Sequence, residues 1–547
     1  MKFPCEEISH GVIIGKKADG IEVGVMGIYL NPGAKKLQKA LNSEIYVDKS
    51  GIIAYLNKVV DTEQCFVCVS RPRRFGKSMA ANLISAYYDR TVDAKYLFRN
   101  MKIASEPGFA RYAGQYDVIK LNMQEFLSNS HDMGEMLALI KKSLLWDLLE
   151  AYPEFRYFDS ENLSRTLMDI YRNTQRQVVI IIDEWDCVFR EEKNHKQEQE
   201  TYLDFLRDLL KDKEYVALAY MTGILPIKKY GTHSALNMFS EFSMLDQGAL
   251  AEYTGFIEDE VKSLCQRYDM DFAQAKEWYD GYYLEECGDI YSPCSVVQSM
   301  LMHKFNNYWN QTETFEALRL YIDMNFDGLR DAVLTVMAGG RVEIDSRSFS
   351  NDMTTFHSAD DVLTLLVHLG YLGYDFPHRE IFIPNKEIMD EFVTATTRSE
   401  WTEILRSIKK SKELLQATLE GNETIVAKGI ADAHLETSHI QYNDENALSY
   451  TVSLAYYAAR EHYQMVRELP TGKGFADVVF VPKARYVNKP AIVVELKWNT
   501  DADTAIEQIK RNNYPQVLKD WGSRAIILVG ITYDKRSREH RCKIEKM

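Results

Sequence analysis

The stretch CFVCVSRPRRFGKS, Cys65 to Ser78, decides how this chain is read. An apolar run gives way to a short basic loop, and Gly76-Lys77-Ser78 opens a segment in which Met79, Leu83, Ile84 and Tyr87 recur at helical spacing. Backbone N–H groups at a strand-to-helix turn, backed by the positive end of the helix dipole, suit a polyphosphate. Lys77 adds a point charge and Ser78 a hydroxyl for Mg²⁺, so ATP with Mg²⁺ is the expected ligand of a site made of Arg74, Phe75, Gly76, Lys77 and Ser78. The usual pattern places glycine where this chain has Arg71, because a tight turn there favours positive φ. Pro72 fixes its own φ and shapes the turn by another route.

Beyond this loop, Val118 to Leu121 reads as a buried strand and Glu135 to Tyr152 as an amphipathic helix. Val178 to Ile182 is a β-branched run without a polar residue, as a central parallel strand requires, and it ends in Asp183-Glu184. Val216 to Met221 stops at Thr222-Gly223. Strands alternating with helices between 45 and about 235 predict an α/β fold with a doubly wound, mostly parallel sheet. Ligands of such sheets lie at the C-terminal strand ends, where the basic loop and the carboxylates both fall. In this reading Lys77 neutralises phosphate charge, Ser78 and Asp183 hold Mg²⁺, Glu184 orients or activates water, and Thr222 senses the terminal phosphate. Arg73 and Arg74 are candidates for further phosphate contacts or for pairing with a carboxylate. Arg207 and Lys211 are candidate cations acting in trans should the protein form a homo-oligomer.

At 547 residues the chain is too long for one core. Its 46% apolar and 27% charged residues are ordinary for a globular protein. No apolar run approaches the roughly 20 residues of a membrane span, and MKFPCEEISH lacks a basic-then-apolar leader pattern, so a cytoplasmic protein without a membrane partner is expected. Eight cysteines over this length make no disulfide framework, and Cys65 and Cys68 read as core residues. The net charge of −15 argues against a protein that coats nucleic acid throughout, yet it is unevenly placed. Arg460 to Met547 holds 17 Lys and Arg against 11 Asp and Glu, an excess of six positive charges, so the preceding 459 residues carry −21. A basic tail on an acidic body allows local phosphate contact.

From Thr254 to Asp390 the pattern is mainly helical, interrupted by WYDGYY at Trp278 to Tyr283, whose aromatics suit packing better than base stacking. Asp360 to Leu369, Tyr371 to Phe376 and Glu380 to Ile383 suggest a helix with a hairpin, a winged-helix-like arrangement. Glu400 to Leu419 is a helix leading to a last domain. There Asp444 to Tyr463 reads as a helix, Asp477 to Val481 and Ala491 to Lys497 as paired strands, Asp503 to Asn513 as a helix, and Ala525 to Ile531 as a strand. Asp477 begins one strand, and Glu495 and Lys497 share a face of the next, so the two carboxylates can converge on one Mg²⁺ while Lys497 positions or deprotonates water. The Leu496 carbonyl is a further candidate ligand, and Glu445 a weaker one.

RPRRFGKS, the preceding Tyr46-Val47-Asp48-Lys49, the IIIDE strand, Thr222-Gly223-Ile224-Leu225 and WYDGY together closely resemble a bacterial AAA-ATPase-like family whose members carry a C-terminal PD-(D/E)XK nuclease-superfamily domain. The resemblance covers the chain from about Ile28 onward and implies that Arg71 is a family trait. Asp477, Glu495 and Lys497 resemble the nuclease-superfamily core, and Gln508, with Tyr514, matches its accompanying glutamine. The implied organisation is an N-terminal extension (1–44), a P-loop ATPase domain (45–250), a helical and winged-helix-like region (251–395) and a nuclease-like domain (396–547). The expected function is an ATPase whose nucleotide state controls a metal-dependent nuclease-like domain acting on nucleic acid. The alternative is a nucleotide-switched regulatory ATPase with an inactive C-terminal binding module.

Overall fold

The computed structural model describes residues 26–190, 196–227, 236–246, 248–309, 315–324, 326–337, 339–349, 356–396, 401–436, 452, 455–456, 458–459, 462–470, 475–483, 486–499, 501–512, 515, 518, 525–534, 536–537 and 539–547. They fall into two compact units. The first gathers the described residues of 1–308, 346–357 and 364–371, the second those of 309–345, 358–363 and 372–547.

The first unit is built on a five-stranded sheet of β1 (Phe66–Ser70), β2 (Asp117–Asn122), β3 (Val178–Asp183), β4 (Val216–Gly223) and β5 (Ser240–Phe242), in the order β2-β3-β4-β1-β5. Every neighbouring pair is parallel. β3 and β4 are buried along their whole length, which is why their sequences carry no alternation. Each buried Val, Ile or Leu contributes about 1.5–3 kcal/mol of apolar transfer, so the sheet centre holds the strand ends in fixed register. Helices α1 (Lys35–Leu41), α2 (Ile52–Val59) and α3 (Lys77–Tyr88) pack into the core on one face, through Leu37, Leu56, Leu83 and Ile84 against Val67, Val69 and Tyr220. Because β4 separates β1 from β3, the basic loop and the Asp183-Glu184 pair flank a common strand end.

Residues 29–31 run against the outer edge of β2. Leu30 bridges Ile119, Asn31 N–H donates to the Val118 carbonyl, and Lys120 N–H donates to the Tyr29 carbonyl. The edge of the parallel sheet is thereby covered by the start of the chain's described part. Nothing in the segment's composition announced this role.

A second sheet of the first unit, antiparallel in the order β6-β8-β7, consists of β6 (Phe256–Ile257), β7 (Tyr282–Leu284) and β8 (Gly288–Tyr291). Helices Glu258–Tyr268, Phe272–Tyr279 and Pro293–Met302 share its core. WYDGYY therefore ends a helix and begins a strand. Tyr279 and Tyr282 are buried, and their rings serve packing.

The second unit includes the antiparallel sheet β10-β11-β9, made of β9 (Val342–Glu343), β10 (Gly373–Asp375) and β11 (Glu380–Phe382). The hairpin expected after Leu369 is present and gains a third strand. Toward the C-terminus five strands follow in simple spatial order: β12 (Tyr463–Pro470), β13 (Phe475–Pro482), β14 (Ala491–Trp498), β15 (Ile526–Asp534) and β16 (Glu539–Lys546). All neighbours are antiparallel except β14 and β15, which are parallel and therefore need a crossover, supplied in part by the helix Ala502–Arg511. Ile506 and Ile509 of that helix pack on Val479 and Val493, while helices Trp401–Glu420 and Glu423–Glu436 cover the other face through Leu414, Leu415, Val426 and Ile430. The expected helix from Asp444 to Tyr463 needs correction at its end, since Tyr463 opens β12; residues 437–451 lie outside the described part, as do Glu445 and Tyr514.

Candidate active sites

The loop between β1 and α3 is closed by two residues of left-handed conformation, Arg74 (φ 64°) and Gly76 (φ 87°). Gly76 is the helix N-cap, and the space around it is open, so its conformation and not crowding requires glycine there. Lys77 is buried in the first turn and its Nζ donates to the carbonyls of Arg71 and Pro72 at 2.9 Å each. Burial pulls its ammonium below the ordinary lysine value, and the carboxylates of Glu184, Asp186 and Asp183 oppose that shift. The order β3-β4-β1 sets the loop that carries Lys77 and the turn that carries these carboxylates on either side of the end of β4. Ser78 is exposed on the same turn.

At the end of β3 the Asp183 carboxylate accepts a hydrogen bond from the Thr222 hydroxyl on β4, and both side chains are buried. Glu184 follows in left-handed conformation (φ 57°), turning the chain off the strand, and Trp185 N–H donates to the Thr222 carbonyl at 3.0 Å. Two residues here were not anticipated. Asp186, fully buried, accepts from the backbone N–H groups of Ile224 (3.0 Å) and Leu225 (2.8 Å) and fixes the turn leaving β4. Arg190 pairs with Glu184 through Nη2 and lies 3.4 Å from Asp186 through Nε. Their i,i+4 spacing in an otherwise apolar segment was the available signal. Gly223 is dictated by the same packing, since a Cβ would lie 2.6 Å from Trp185 Nε1 and 2.8 Å from Asp186 Oδ1.

Other candidate residues make contacts within the fold. The Arg74 guanidinium donates to the Tyr308 carbonyl (3.0 Å) and to Cys294 Sγ (3.4 Å), away from any carboxylate in these contacts. Phe75 is buried edge-on against Tyr282, 5.3 Å between ring centroids, and its carbonyl accepts from Gly255 N–H at 2.9 Å. These contacts seat the loop on the small second sheet. Arg207 pairs with Asp204 on its own helix. In Tyr46-Val47-Asp48-Lys49, Asp48 accepts from Ser50 and Lys102 N–H, and Lys49 Nζ bridges the Glu252 carbonyl (2.7 Å) and Glu260 (2.6 Å), with Glu260 also capping the helix Glu258–Tyr268. The motif is a fastening of the fold.

In the second unit β13 and β14 pair antiparallel with Val478 opposite Val494, so continuing the register one residue sets Asp477 opposite Glu495. The Asp477 carboxylate accepts from Leu496 N–H at 2.7 Å. Glu495 is 1% exposed, and its Oε1 receives Lys497 Nζ at 3.2 Å and Gln508 Nε2. Gln508 reaches it because Gly530, the register partner of Glu495 on β15, lets the helix Ala502–Arg511 lie close to the sheet. Asp477, Glu495, Lys497 and Gln508 are thus gathered on one face. No cluster of three or more His, Cys, Asp or Glu suited to a metal occurs among the described residues. Two hard carboxylates beside a lysine suit Mg²⁺, which keeps several waters when bound to protein.

Two family models match the chain. The model of the family described as "Predicted AAA-ATPase" matches residues 35–232, and that of the PD-(D/E)XK nuclease superfamily matches residues 443–542. The chain therefore combines an AAA-ATPase-like domain with a C-terminal PD-(D/E)XK nuclease-superfamily domain. No curated protein matches. Among solved structures, the ORC2 protein of Aeropyrum pernix in ADPNP–ADP complexes is 13% identical, with 65% of this chain and 98% of that chain covered at a TM-score of 0.29. The ORC1 protein of Aeropyrum pernix in complex with DNA is 8% identical, with 68% and 98% covered at a TM-score of 0.24. Among the described residues no helix is long and apolar enough to cross a membrane.

Proposed function

We propose that the chain binds and hydrolyses ATP at the head of the parallel sheet and that its nucleotide state controls a metal-dependent nuclease-like site acting on nucleic acid. The observation that supports this best is the presence of two assembled residue sets in one chain: Lys77, Asp183, Glu184 and Thr222 at one strand end, and Asp477, Glu495, Lys497 and Gln508 on one sheet face. In this reading Lys77 exchanges its carbonyl partners for phosphate oxygens, and Thr222 holds Asp183 in place. Glu184 takes the proton of the attacking water, and Asp183 and Ser78 would hold Mg²⁺. Mg²⁺, when bound, supplies neutralisation of charge on the phosphates. At the second site Asp477 and Glu495 would hold the metal, Lys497 orients or deprotonates a water, and Gln508 fixes the Glu495 carboxylate. The domain limits 45–250, 251–395 and 396–547 belong to the same proposal.

ATP turnover and MgATP affinity of the full chain and of Lys77→Ala test the first half. Loss of at least about tenfold in affinity is expected, because a charge-assisted contact to phosphate is removed. Unchanged turnover in Lys77→Ala would remove the assigned site. A second reading, a nucleotide-switched regulatory ATPase whose tail only binds, is favoured by one feature: Glu495 Oε1 already serves two internal donors. It predicts ATP binding with no heat of Mg²⁺ or Mn²⁺ binding that depends on Asp477 and Glu495.

A further inference from the structure

Arg71 stands at the head of the loop, where the residue is 1% exposed. Its N–H, its carbonyl and its Nη1 each have a partner. Its N–H donates to the Gly223 carbonyl on β4 at 3.0 Å. Its carbonyl accepts from Lys77 Nζ at 2.9 Å. Its Nη1 donates to the carbonyls of Ser70 and of Phe242 on β5, both at 2.9 Å. The ladder between β1 and β5 ends at Val69 opposite Phe242, so the side chain carries the link to β5 beyond the last ladder pair. A glycine would keep the main-chain bond to β4 and lose the link to β5.

This arrangement is costly. Burial lowers the guanidinium pKa to about 10, and Nε and Nη2 find no hydrogen-bond partner among the described residues. A buried cation satisfied at only one of its three nitrogens weighs against stability. The two carbonyls that it engages belong to Ser70, at the root of the loop, and to Phe242, at the end of β5, so its effect falls on how the loop root is held against β5.

Resting on the nucleotide-binding reading above, we propose that Arg71 is a positioning residue for MgATP. It fastens the loop root to both flanking strands and so fixes the Arg71 and Pro72 carbonyls that place Lys77. The departure from glycine is then a functional substitution: the side chain does the holding that a tight glycine turn does elsewhere, and it acts through Lys77 without touching the nucleotide. Arg71→Gly, which restores the usual loop pattern, is expected to impair the site.

The test uses the full chain with two variants, Arg71→Gly and Arg71→Lys, which keeps a cationic donor, and with Arg71→Gly supplemented with ethylguanidinium. MgATP affinity is measured by calorimetry, and amide hydrogen exchange is followed without nucleotide. Arg71→Gly should weaken MgATP binding by about tenfold or more, as expected for loss of hydrogen bonds to a charged group, with Arg71→Lys or ethylguanidinium recovering most of it. Exchange should rise at 70–77 and 240–243 and stay unchanged in β14 and β15. Unaltered affinity in Arg71→Gly overturns the proposal, as does faster exchange spread over the whole first sheet without rescue, which marks a general fold residue. If the wild-type chain binds no MgATP, the nucleotide reading fails by itself. The exchange experiment then still decides whether Arg71 fastens the loop, and unchanged exchange at 70–77 overturns that too.

Discussion

Gly530→Ala is a one-methyl perturbation whose effect can be worked from the packing. A Cβ at Gly530 would lie 2.6 Å from the Ala502 carbonyl oxygen, 3.0 Å from Ala505 Cβ and 3.4 Å from Ile506 Cγ1. The first of these is backbone at the start of the helix Ala502–Arg511, so no side-chain rotation relieves it. The helix must retreat by on the order of 0.5–1 Å to restore ordinary contact. Overpacking of this kind costs about 1–3 kcal/mol, which corresponds to about 5- to 150-fold more frequent opening of the local structure. Gln508 rides on the same helix and would lose its bond to Glu495. Hydrogen exchange of the full chain reads this directly: amides of β14 and β15 should exchange faster by that factor, while β1 and β3 keep their wild-type rates. Unchanged exchange in β14 and β15 would refute the close-packing argument, and so would equal acceleration in both sheets.

The remaining predictions concern the sheet edge and acid stability. Asn31→Ala removes a buried side chain (φ 50°) that donates to Asp117 Oδ1 at 2.7 Å and accepts from Val118 N–H at 2.8 Å. It should destabilise β2 by about 2 kcal/mol or more, read as faster exchange there. His368, His462 and His540 have pKa values pushed down by burial from 6.5 to about 3, 4 and 4. Protons therefore bind the unfolded chain first. The stability contributed by the neutral rings is complete above about pH 6.5 and is lost as pH falls toward 4, and below that for His368. Urea midpoints measured between pH 7 and 4 should fall across this window, and midpoints that hold steady from 6.5 to 4 would contradict the burial argument.

What could be read from the chain alone follows a physical pattern. The unbroken run Val178 to Ile182 could only be a strand buried on both faces, and β3 is one. Gly76-Lys77-Ser78, contiguous at one turn, and Asp477, Glu495 and Lys497, on two strands consecutive in the chain, could be named as candidates because those residues lie close in sequence. Contacts made across long sequence distances were not. Asn31 meets Asp117 and Val118 across 86 and 87 residues, and no local signal encodes that. β16, EHRCKIEK, is an edge strand rich in charge, so it lacks the apolar run that marks its neighbours. Arg71 looked like a defect because the usual rule concerns backbone freedom, whereas its side chain reaches carbonyls of β1 and of an edge strand 171 residues away. Arg74 and Phe75 were named for the phosphate site by position in the motif, and no local signal encodes the contacts of their side chains with Tyr308 and Tyr282, more than 200 residues away.

Nucleotide control of the nuclease-like site is tested by cleavage of a panel of DNA and RNA substrates by the full chain with Mg²⁺ or Mn²⁺, with and without ATP. Metal-dependent cleavage is expected that responds to ATP, loses that response in Lys77→Ala, and disappears in Glu495→Ala and Lys497→Ala. Cleavage that survives both C-terminal substitutions, or that ignores ATP in the wild-type chain, would contradict it.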